Sequence, residues 1–465
     1  MTLPAAAPAQ ATERVLATLN VDGSRRWLRP RWQPGRLASA RRVVAYVLIA
    51  LFLAIPHLRW NGKPWMLLDP RSRQATLFGA TFLPTETLLL LLLVLSVFIG
   101  IFLFTALFGR VWCGWGCPQT VWMEFLFRPV ERLLEGGPAG ARKLDALGSR
   151  GHLQPRRLAK YAVYALFAVV LGNTFLMYFF GADDIFRWMG QSPREHGMPF
   201  AVMAITSALV FFDFTYFREQ TCLVACPYGR IQSALLDRSS LIVAYDAARG
   251  EPRGRGRARE GLGACVDCSA CTQVCPTGID IRDGLQLECV HCTQCIDACD
   301  AVMDRLGQPR GLVRYASLDG LAGKPARLVR PRTVLYPLAF TIAFGLFLYN
   351  LDRRVDAQVT VLRGAGAAPF IEQAGGLVSN QLRIKLENRA AVARRFTIAL
   401  AEPGGVQLIA PVNPVVVEPR GHATSTIFVL APATTFAGGR RPITLRVTDG
   451  AGFDQTTPFA LLGPE

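Results

Sequence analysis

Five long apolar segments divide the first 350 residues of the chain. They run roughly from Val43 to Pro56, Thr87 to Phe108, Tyr161 to Phe180, Phe200 to Phe217 and Thr333 to Asn350. The second carries no charge and is long enough to cross the hydrocarbon core of a bilayer as a helix. The first is the shortest and has a buried helix as its alternative, but Arg41, Arg42 and Trp60 flank it as they would a span. The pattern predicts a transmembrane bundle of about five helices.

Beyond Asn350 the pattern changes to short alternating runs, which are typical of half-buried strands. Examples are QLRIKLEN, RFTIALAE, VQLIAP, TSTIFVLAP and RPITLRVTDG, separated by Gly, Pro and Asn. About seven strands in about 110 residues predict an immunoglobulin-like β-sandwich without its disulfide. The region has no clustered His, Cys or paired carboxylates, so we expect it to dock a partner rather than to catalyse.

Basic residues follow the spans. The formal net charge is +17, and Lys and Arg are dense before the first span, after the second and after the fourth. The link between the third and fourth spans holds only Arg187 and Arg194. The positive-inside rule therefore predicts a cytoplasmic N-terminus and, with five spans, an outside C-terminus. A nucleic-acid surface is the alternative, but no nucleic-acid motif accompanies the charge. No apolar core of leader length lies in residues 1 to 40, so no cleaved signal peptide is expected.

All twelve cysteines lie between positions 113 and 299, and eight of them lie within 35 residues. Such bunching favours metal ligation in a reducing compartment over disulfides. The eight read Cys-x2-Cys-x2-Cys-x3-Cys twice, which is the bacterial two-cluster ferredoxin spacing. In that spacing the fourth thiolate of each run ligates the other cluster. The prediction is two [4Fe-4S] clusters, one on Cys265, Cys268, Cys271 and Cys299, the other on Cys289, Cys292, Cys295 and Cys275.

Zinc is the alternative for such CxxC units, but zinc needs four ligands per site and has no use for the doubled run. Pro276 follows Cys275 as the pattern requires, whereas Asp300 follows Cys299. This departure concerns the local turn and not the ligation, because proline donates no ligand. His291 lies inside the second run and is expected to be a surface residue, since thiolates already complete each cluster.

The remaining four cysteines lie just beyond the second and fourth spans, in CGWGCPQT and CLVACPYGR. They are Cys113, Cys117, Cys222 and Cys226, hereafter the CxxxCP quartet. A three-residue spacing places two sulfurs about one helical turn apart, and a proline stops or restarts the helix. We expect Arg110, Arg218 and Arg230 to lower the pKa of these thiols. A copper site, buried structural cysteines, a redox-active disulfide and a third iron-sulfur cluster all remain open for the quartet.

Other redox centres find no support in the sequence. None of the five histidines lies well inside a span or pairs with another across two spans, so no haem between helices is expected. No GxGxxG follows a strand to bind a flavin or nicotinamide. The patterns together predict five consecutive regions. They are an N-terminal cytoplasmic region at 1–42, helices 1–4 with both thiol pairs at 43–240, a cytoplasmic ferredoxin domain at 241–325, helix 5 at 326–352 and the periplasmic β-sandwich at 353–465.

The order of these features resembles a known family. The stretches CGWGCPQTVWMEFLFRPVER and FREQTCLVACPYGRIQSALLDRSSLIVAYDAARGEPRG, the doubled ferredoxin run, the fifth span and the β-sandwich are similar to the cytochrome oxidase accessory proteins called CcoG, FixG or RdxA. The resemblance covers nearly the whole chain. The two CxxxCP pairs followed by ferredoxin runs are also similar to membrane ferredoxins of the NapH and NosR type.

The CcoG resemblance implies a bacterial inner-membrane cupric reductase that reduces Cu(II) to Cu(I) for assembly of a cbb3-type oxidase. Its partners would be membrane lipid, copper ions, oxidase assembly factors and an electron donor that the sequence does not name. Cu(I) is soft and favours thiolates, so the CxxxCP quartet is the candidate copper and catalytic site. Two other hypotheses remain open: a quinol-linked electron-transfer component of NapH type, and a non-catalytic scaffold that holds Cu(I).

Overall fold

The computed structural model describes most of the chain between residues 14 and 464. Outside the description lie residues 1–13, 21, 61, 84–85, 256–259, 326–328, 356, 365–367, 391, 403, 420 and 465. The expectation of no leader, and the start of the N-terminal region, therefore fall partly outside the described residues. The chain divides into two compact units, one up to Leu346 and one from Phe347 onward.

Five helices are long and apolar enough to cross a membrane, which confirms the number of spans predicted from the pattern. They are α1 (Arg36–Ala54), α2 (Thr87–Phe108), α3 (Pro155–Phe180), α4 (Gly197–Phe212) and α5 (Pro331–Asp352). The helix α2 leaves many large apolar side chains exposed, including Leu88, Leu91 and Phe98. Such a surface is stable when lipid covers it.

The first helix differs from its predicted bounds. It begins at Arg36 instead of Val43, and Arg41 is fully buried instead of flanking a span at the interface. The guanidinium Nε of Arg41 donates to the carbonyl oxygen of Gly114 at 2.9 Å. A helix does not end where its apolar stretch ends, because its backbone hydrogen bonds do not depend on side-chain polarity.

Short elements join the long helices. Between α1 and α2, small antiparallel strands pair, and their two- to four-residue lengths leave little pattern in the sequence. They are Arg59–Trp60, Lys63–Pro64, Met66–Asp69, Gln74–Leu77 and Ala80–Phe82. Between α2 and α3 lie Val111–Trp115, Pro118–Trp122, the π-helix Met123–Phe127, Arg128–Glu135, Gly137–Ala146 and Ser149–His152; Ala182–Met189 follows α3. After α4 the chain forms the π-helices Asp213–Phe217 and Thr221–Ala225 and the helix Pro227–Leu235.

The ferredoxin-like segment is built on one strand pair and two helices. Strand Ile242–Tyr245 pairs antiparallel with strand Val313–Ala316. Helices Ala270–Gln273 and Gln294–Arg305 each begin inside one cysteine run. Its core buries Val243, Ile279, Ile296 and Met303 among the cysteines. The segment thus holds most of its thiols between the strands and the helices.

The C-terminal unit is a sandwich of two antiparallel sheets, as predicted. One sheet contains Ala357–Arg363, Ile371–Gln373, Leu377–Asn388, Gln407–Ile409 and His422–Pro432; the other contains Arg394–Leu400, Val415–Val417, Arg440–Thr448 and Asp454–Leu462. The described part of this unit therefore has nine strands instead of about seven, because three-residue segments also pair. Inward-facing residues such as Leu382, Phe396, Ile427 and Leu445 are fully buried between the sheets.

Candidate functional site

The two cysteine runs adopt the same loop conformation. In the first run Asp267 and Ser269 have positive φ angles, and in the second run His291 and Thr293 have them at the equivalent positions. Positive φ is uncommon for residues other than glycine and concentrates at functional sites. Each loop wraps back on itself, so that its three closely spaced thiols line the same cavity.

Each predicted ligand set surrounds its own cavity. Thiol set A, defined as Cys265, Cys268, Cys271 and Cys299, lines one cavity. Thiol set B, defined as Cys275, Cys289, Cys292 and Cys295, lines a second. The thiol of Cys271 lies in the walls of both. The structure thus interleaves the two runs and places the two sets side by side.

Two orphaned polar side chains beside set B fit an anionic cluster. Among the described residues, Nη1 and Nη2 of Arg41 and both ring nitrogens of His291 are buried without a hydrogen-bond partner. Burial raises the pKa of the Cys292 thiol, and Arg41 opposes that rise. A buried cation needs a nearby anion, which thiolates and their cluster provide when bound. Sequence reasoning missed Arg41, because its position resembles that of an ordinary flanking arginine.

The expectation that His291 is a surface residue is wrong. Its side chain is fully buried and lines the cavity of set B. Burial, with Arg110 nearby, lowers the pKa of His291 to about 3, so the imidazole is neutral at physiological pH. No signal in the sequence separates this histidine from an exposed loop residue.

Asp300, the departure from the ferredoxin pattern, has a local explanation. Helix Gln294–Arg305 continues past Cys299, where a proline would interrupt its hydrogen bonds. The carboxylate of Asp300 instead accepts the backbone N–H of Gly311 at 2.9 Å. By contrast, Pro276 follows a helix that has already ended at Gln273. The backbones of the two runs therefore diverge just before the fourth cysteine, which lies beyond the helix in the first run and inside the helix in the second.

The cysteine assignments give a direct prediction. We expect Cys292→Ser to lower the iron content by about four of about eight irons, because its thiol is buried in set B. Iron and sulfide analysis of anaerobically purified protein measures the loss. The matched variant Thr293→Ser keeps every thiol and should retain all the iron. Full iron content in Cys292→Ser would contradict the assignment.

The structure also brings the CxxxCP quartet together from two distant parts of the chain. Burial raises the pKa of Cys222, and the charges of Cys117, Cys113 and Cys226 raise it further, in that order. A new helix begins at each proline, at Pro118 and at Pro227. The four thiols therefore lie near one another, just beyond α2 and the π-helical extension of α4.

The expected lowering of the thiol pKa values is wrong. Burial raises the pKa of Cys113 to about 12, although Arg110 opposes the rise, and it also raises the pKa of Cys117. Arg218 instead pairs with Glu131, and the side chain of Arg230 lies outside the described residues. The thiols of Cys113 and Cys117 therefore hold their protons until a metal ion displaces them.

Hydrogen bonds fix the two CxxxCP loops to each other. Gln119 Nε2 donates to Asp213 Oδ1 at 3.3 Å and to the carbonyl of Arg218 at 3.0 Å. The hydroxyl of Thr221 also donates to Asp213. Gln119 lies two residues after Cys117, and Thr221 lies directly before Cys222. Asp213 therefore fixes the positions of the two thiol pairs relative to each other.

The first CxxxCP loop packs directly on the loop of set B. A Cβ at Gly114 would lie 2.5 Å from the carbonyl oxygen of His291, closer than real contacts allow. Buried Arg110 joins the same parts: it donates to the carbonyl of Cys289 at 3.1 Å and to that of Gly229 at 2.7 Å. In space, set A therefore lies beside set B, and set B lies beside the quartet.

All twelve cysteines are among the described residues, and no disulfide joins any two of them. Nor does the described part of the chain contain three or more His, Cys, Asp or Glu side chains placed to hold a single metal ion. The thiol sets line cavities instead of converging on a point, which suits a multinuclear cluster better than one ion.

Spanning helices joined to two interleaved ferredoxin-type thiol sets define a membrane-bound iron-sulfur electron-transfer protein. Family models agree with this class. A "4Fe-4S dicluster domain" matches residues 217–318, and a "4Fe-4S binding domain" matches residues 90–136, which include Cys113 and Cys117. A model of the "IG-like fold at C-terminal of FixG" matches residues 347–464.

Curated relatives identify the family. The chain is 36% identical to Protein RdxA of Cereibacter sphaeroides over 81% of this chain and 83% of that protein. It is 33% identical to Nitrogen fixation protein FixG of Rhizobium meliloti over 94% and 86% of the two chains. Similarity to Ferredoxin-type protein NapH of Haemophilus influenzae is lower, at 22% identity over 58% and 88%. The chain belongs to the FixG/RdxA family.

Proposed function

We propose that this protein passes electrons from the cluster that thiol set A would hold, through the cluster that set B would hold, to the CxxxCP quartet, where Cu(II) is reduced to Cu(I) for assembly of a cbb3-type oxidase. The observation that carries the proposal is the direct contact between Gly114 of the quartet loop and His291 of the set B loop. When bound, the clusters supply one-electron transfer. Each Cu(II) takes one electron and leaves as Cu(I).

The residues around the quartet suit this role. The four thiols are soft ligands and favour Cu(I) over Cu(II), which assists the reduction. Buried Arg110 and Arg41 place positive charge beside set B and the quartet, and this charge stabilises an added electron. The described residues contain no preformed group for a single ion. Copper is therefore proposed as a transient substrate and not as a resident ion.

The proposal includes an orientation. The N-terminal region and all three thiol groups face the cytoplasm, and the immunoglobulin-like domain faces the periplasm, where it would meet oxidase assembly factors. The distribution of Lys and Arg between the spans supports this arrangement.

A single-turnover experiment tests the route. The protein is reduced anaerobically with dithionite, freed of the excess and mixed with Cu(II) and a Cu(I)-specific chelator. One Cu(I) should form for each electron lost from the iron-sulfur absorbance. We expect Gly114→Ala to keep its iron but to slow this step about tenfold or more, because its Cβ separates the two loops.

The control is Gly190→Ala, whose Cβ meets its nearest atom, the Arg187 carbonyl oxygen, at an ordinary 3.6 Å. This variant should react at the parental rate. Loss of cluster electrons without formation of Cu(I) would contradict copper as the acceptor. An unaltered rate in Gly114→Ala would contradict the route through this contact.

A specific observation favours a second candidate. The family model that covers Cys113 and Cys117 is itself a 4Fe-4S binding domain. On this alternative the quartet holds a third cluster and hands electrons to an acceptor in the membrane, as in a quinol-linked component. About twelve irons instead of about eight would identify it.

A further inference from the structure

One thiol of set A opens to solvent at the end of the thiol series away from the quartet. Of the twelve cysteines, all of them described, only Cys268 is exposed. It lines an open pocket of about 400 Å³, together with Arg31, Gln33, Gln273 and Arg305. Set A is the set farther from the quartet, since the quartet loop packs on set B. The pocket therefore exposes the outer end of the route.

The pocket is basic. Two arginines line it, and none of its described lining residues is acidic. Arg31 Nη1 donates to Gln273 Oε1 at 3.3 Å, and Arg305 Nε donates to the carbonyl of Ala301 at 3.0 Å. Neither guanidinium has a carboxylate partner among the described residues. The acids next in sequence to Cys268 and Arg305 are already paired: Asp267 lies 2.7 Å from Arg282, and Asp304 lies 2.6 Å from Arg310.

These features indicate the kind of molecule that binds there. A pocket that keeps a small molecule is enclosed and mostly apolar, whereas this one is open and its lining is only about half apolar. Uncompensated arginines around an exposed redox ligand attract an acidic surface and speed its encounter. Complexes of electron-transfer proteins are small and transient, which a shallow charged patch can support.

We infer that the Arg31–Arg305 pocket is the docking surface for an acidic one-electron carrier protein, which reduces the chain at Cys268. In this step the carrier would lose one electron, and the [4Fe-4S] cluster held by set A would gain it, with the Cys268 thiolate as the exposed ligand of that cluster. The inference rests on the proposed electron-transfer function, and it assigns the donor class and the point of reduction.

The test follows bleaching of the iron-sulfur absorbance in the full-length protein in detergent, without copper. The donor is a photoreduced plant-type [2Fe-2S] ferredoxin, used as an acidic carrier. We expect the charge-reversal variant Arg31→Glu/Arg305→Glu to lower the second-order rate constant about tenfold at low ionic strength. The difference should disappear at high salt, because salt screens exposed charges. Reduction by dithionite should stay at the parental rate.

The matched control is Arg142→Glu/Arg156→Glu. Both residues are exposed outside the pocket, and Arg142 donates to the carbonyl of Pro138 in the way Arg305 does to that of Ala301. A milder second variant, Gln273→Glu, adds a carboxylate beside Arg31 and should slow the ferredoxin reaction less. Iron analysis verifies that each variant keeps its clusters.

If Arg142→Glu/Arg156→Glu slows the ferredoxin reaction equally, the effect comes from the net charge of the protein and not from the pocket, and the inference is overturned. An unchanged ferredoxin rate in Arg31→Glu/Arg305→Glu would overturn it as well. Saturable reduction by free reduced flavin mononucleotide that depends on both arginines would mean that the pocket takes a small anion instead. This test contains no copper, so its result does not depend on whether the protein reduces Cu(II).

Discussion

Replacing Cys113 and Cys117 together by serine is expected to abolish reduction of Cu(II) while leaving thiol sets A and B loaded with iron. The two sulfurs supply half of the CxxxCP quartet, and hydroxyl groups do not replace thiolates as ligands for soft Cu(I). Serine at these short helix ends costs little stability, so insertion into the membrane should survive. Anaerobic formation of the Cu(I) chelate measures the loss, and iron analysis verifies the two clusters.

The control is Val224→Ser, which adds a hydroxyl to the other CxxxCP loop at an exposed position and removes no sulfur. It should reduce copper at the parental rate. If the double variant instead loses about four irons, the quartet holds a third cluster. If it keeps its iron and still reduces Cu(II) at the parental rate, the quartet is not the copper site.

Glu131→Gln is expected to cost about 3–5 kcal/mol of stability, the range for removing one member of a buried ion pair. Glu131 Oε2 lies 3.0 Å from Arg218 Nη2, and Glu131 also pairs with Arg29. Its side chain is only 9% exposed and that of Arg218 only 3%. Without the carboxylate, Arg218 keeps only Glu219 at 3.6 Å and Arg29 keeps only Asp145 at 3.2 Å, so each guanidinium group loses its closest counter-charge.

The midpoint of thermal or denaturant unfolding in detergent measures this change. The exposed Glu195 provides a matched control, since Glu195→Gln should alter stability by less than about 0.5 kcal/mol. A loss below about 1 kcal/mol in Glu131→Gln would place the pair among ordinary surface salt bridges and contradict the prediction.

The same pair predicts a dependence on pH. Burial alone would raise the pKa of Glu131, but Arg218 and Arg29 together lower it below the usual 4.5. A carboxyl whose pKa is lowered by folding stabilises the fold fully above its unfolded pKa and loses that contribution as the pH falls. Stability should therefore decline below about pH 4.5. It should decline less steeply in Glu131→Gln, which has no carboxylate to protonate.

Much of the fold could be predicted because its signals are local. The apolar run Thr87 to Phe108 coincides with α2, and RFTIALAE and RPITLRVTDG coincide with paired strands. Segments of two to four residues, such as Arg59–Trp60 and Val415–Val417, could not be predicted, because so short a run has no measurable period. The start of α1 was missed for another reason, since a helix continues through arginines whenever its backbone remains hydrogen-bonded.

At the site, the sequence predicted which thiols belong together but not what surrounds them. His291 and a surface histidine have the same local pattern, and only the burial of the side chain beside the set B cavity separates them. Arg110, Arg218 and Arg230 were expected to lower thiol pKa values because they lie nearby in sequence. For Cys113, burial outweighs the charge of Arg110 and raises the pKa of the thiol. Arg218 forms an ion pair with Glu131 instead.

The sequence by itself determined the five apolar helices, the alternating strands and the doubled cysteine spacing, because each depends on residues less than a few turns apart. Tertiary structure alone decided that Cys113 lies near Cys226, that Gly114 contacts His291, and that Cys268 opens into a basic pocket. These contacts join segments far apart in the chain. Their geometry follows from how the helices and loops pack, and the local spacing of apolar residues in the sequence does not specify that packing.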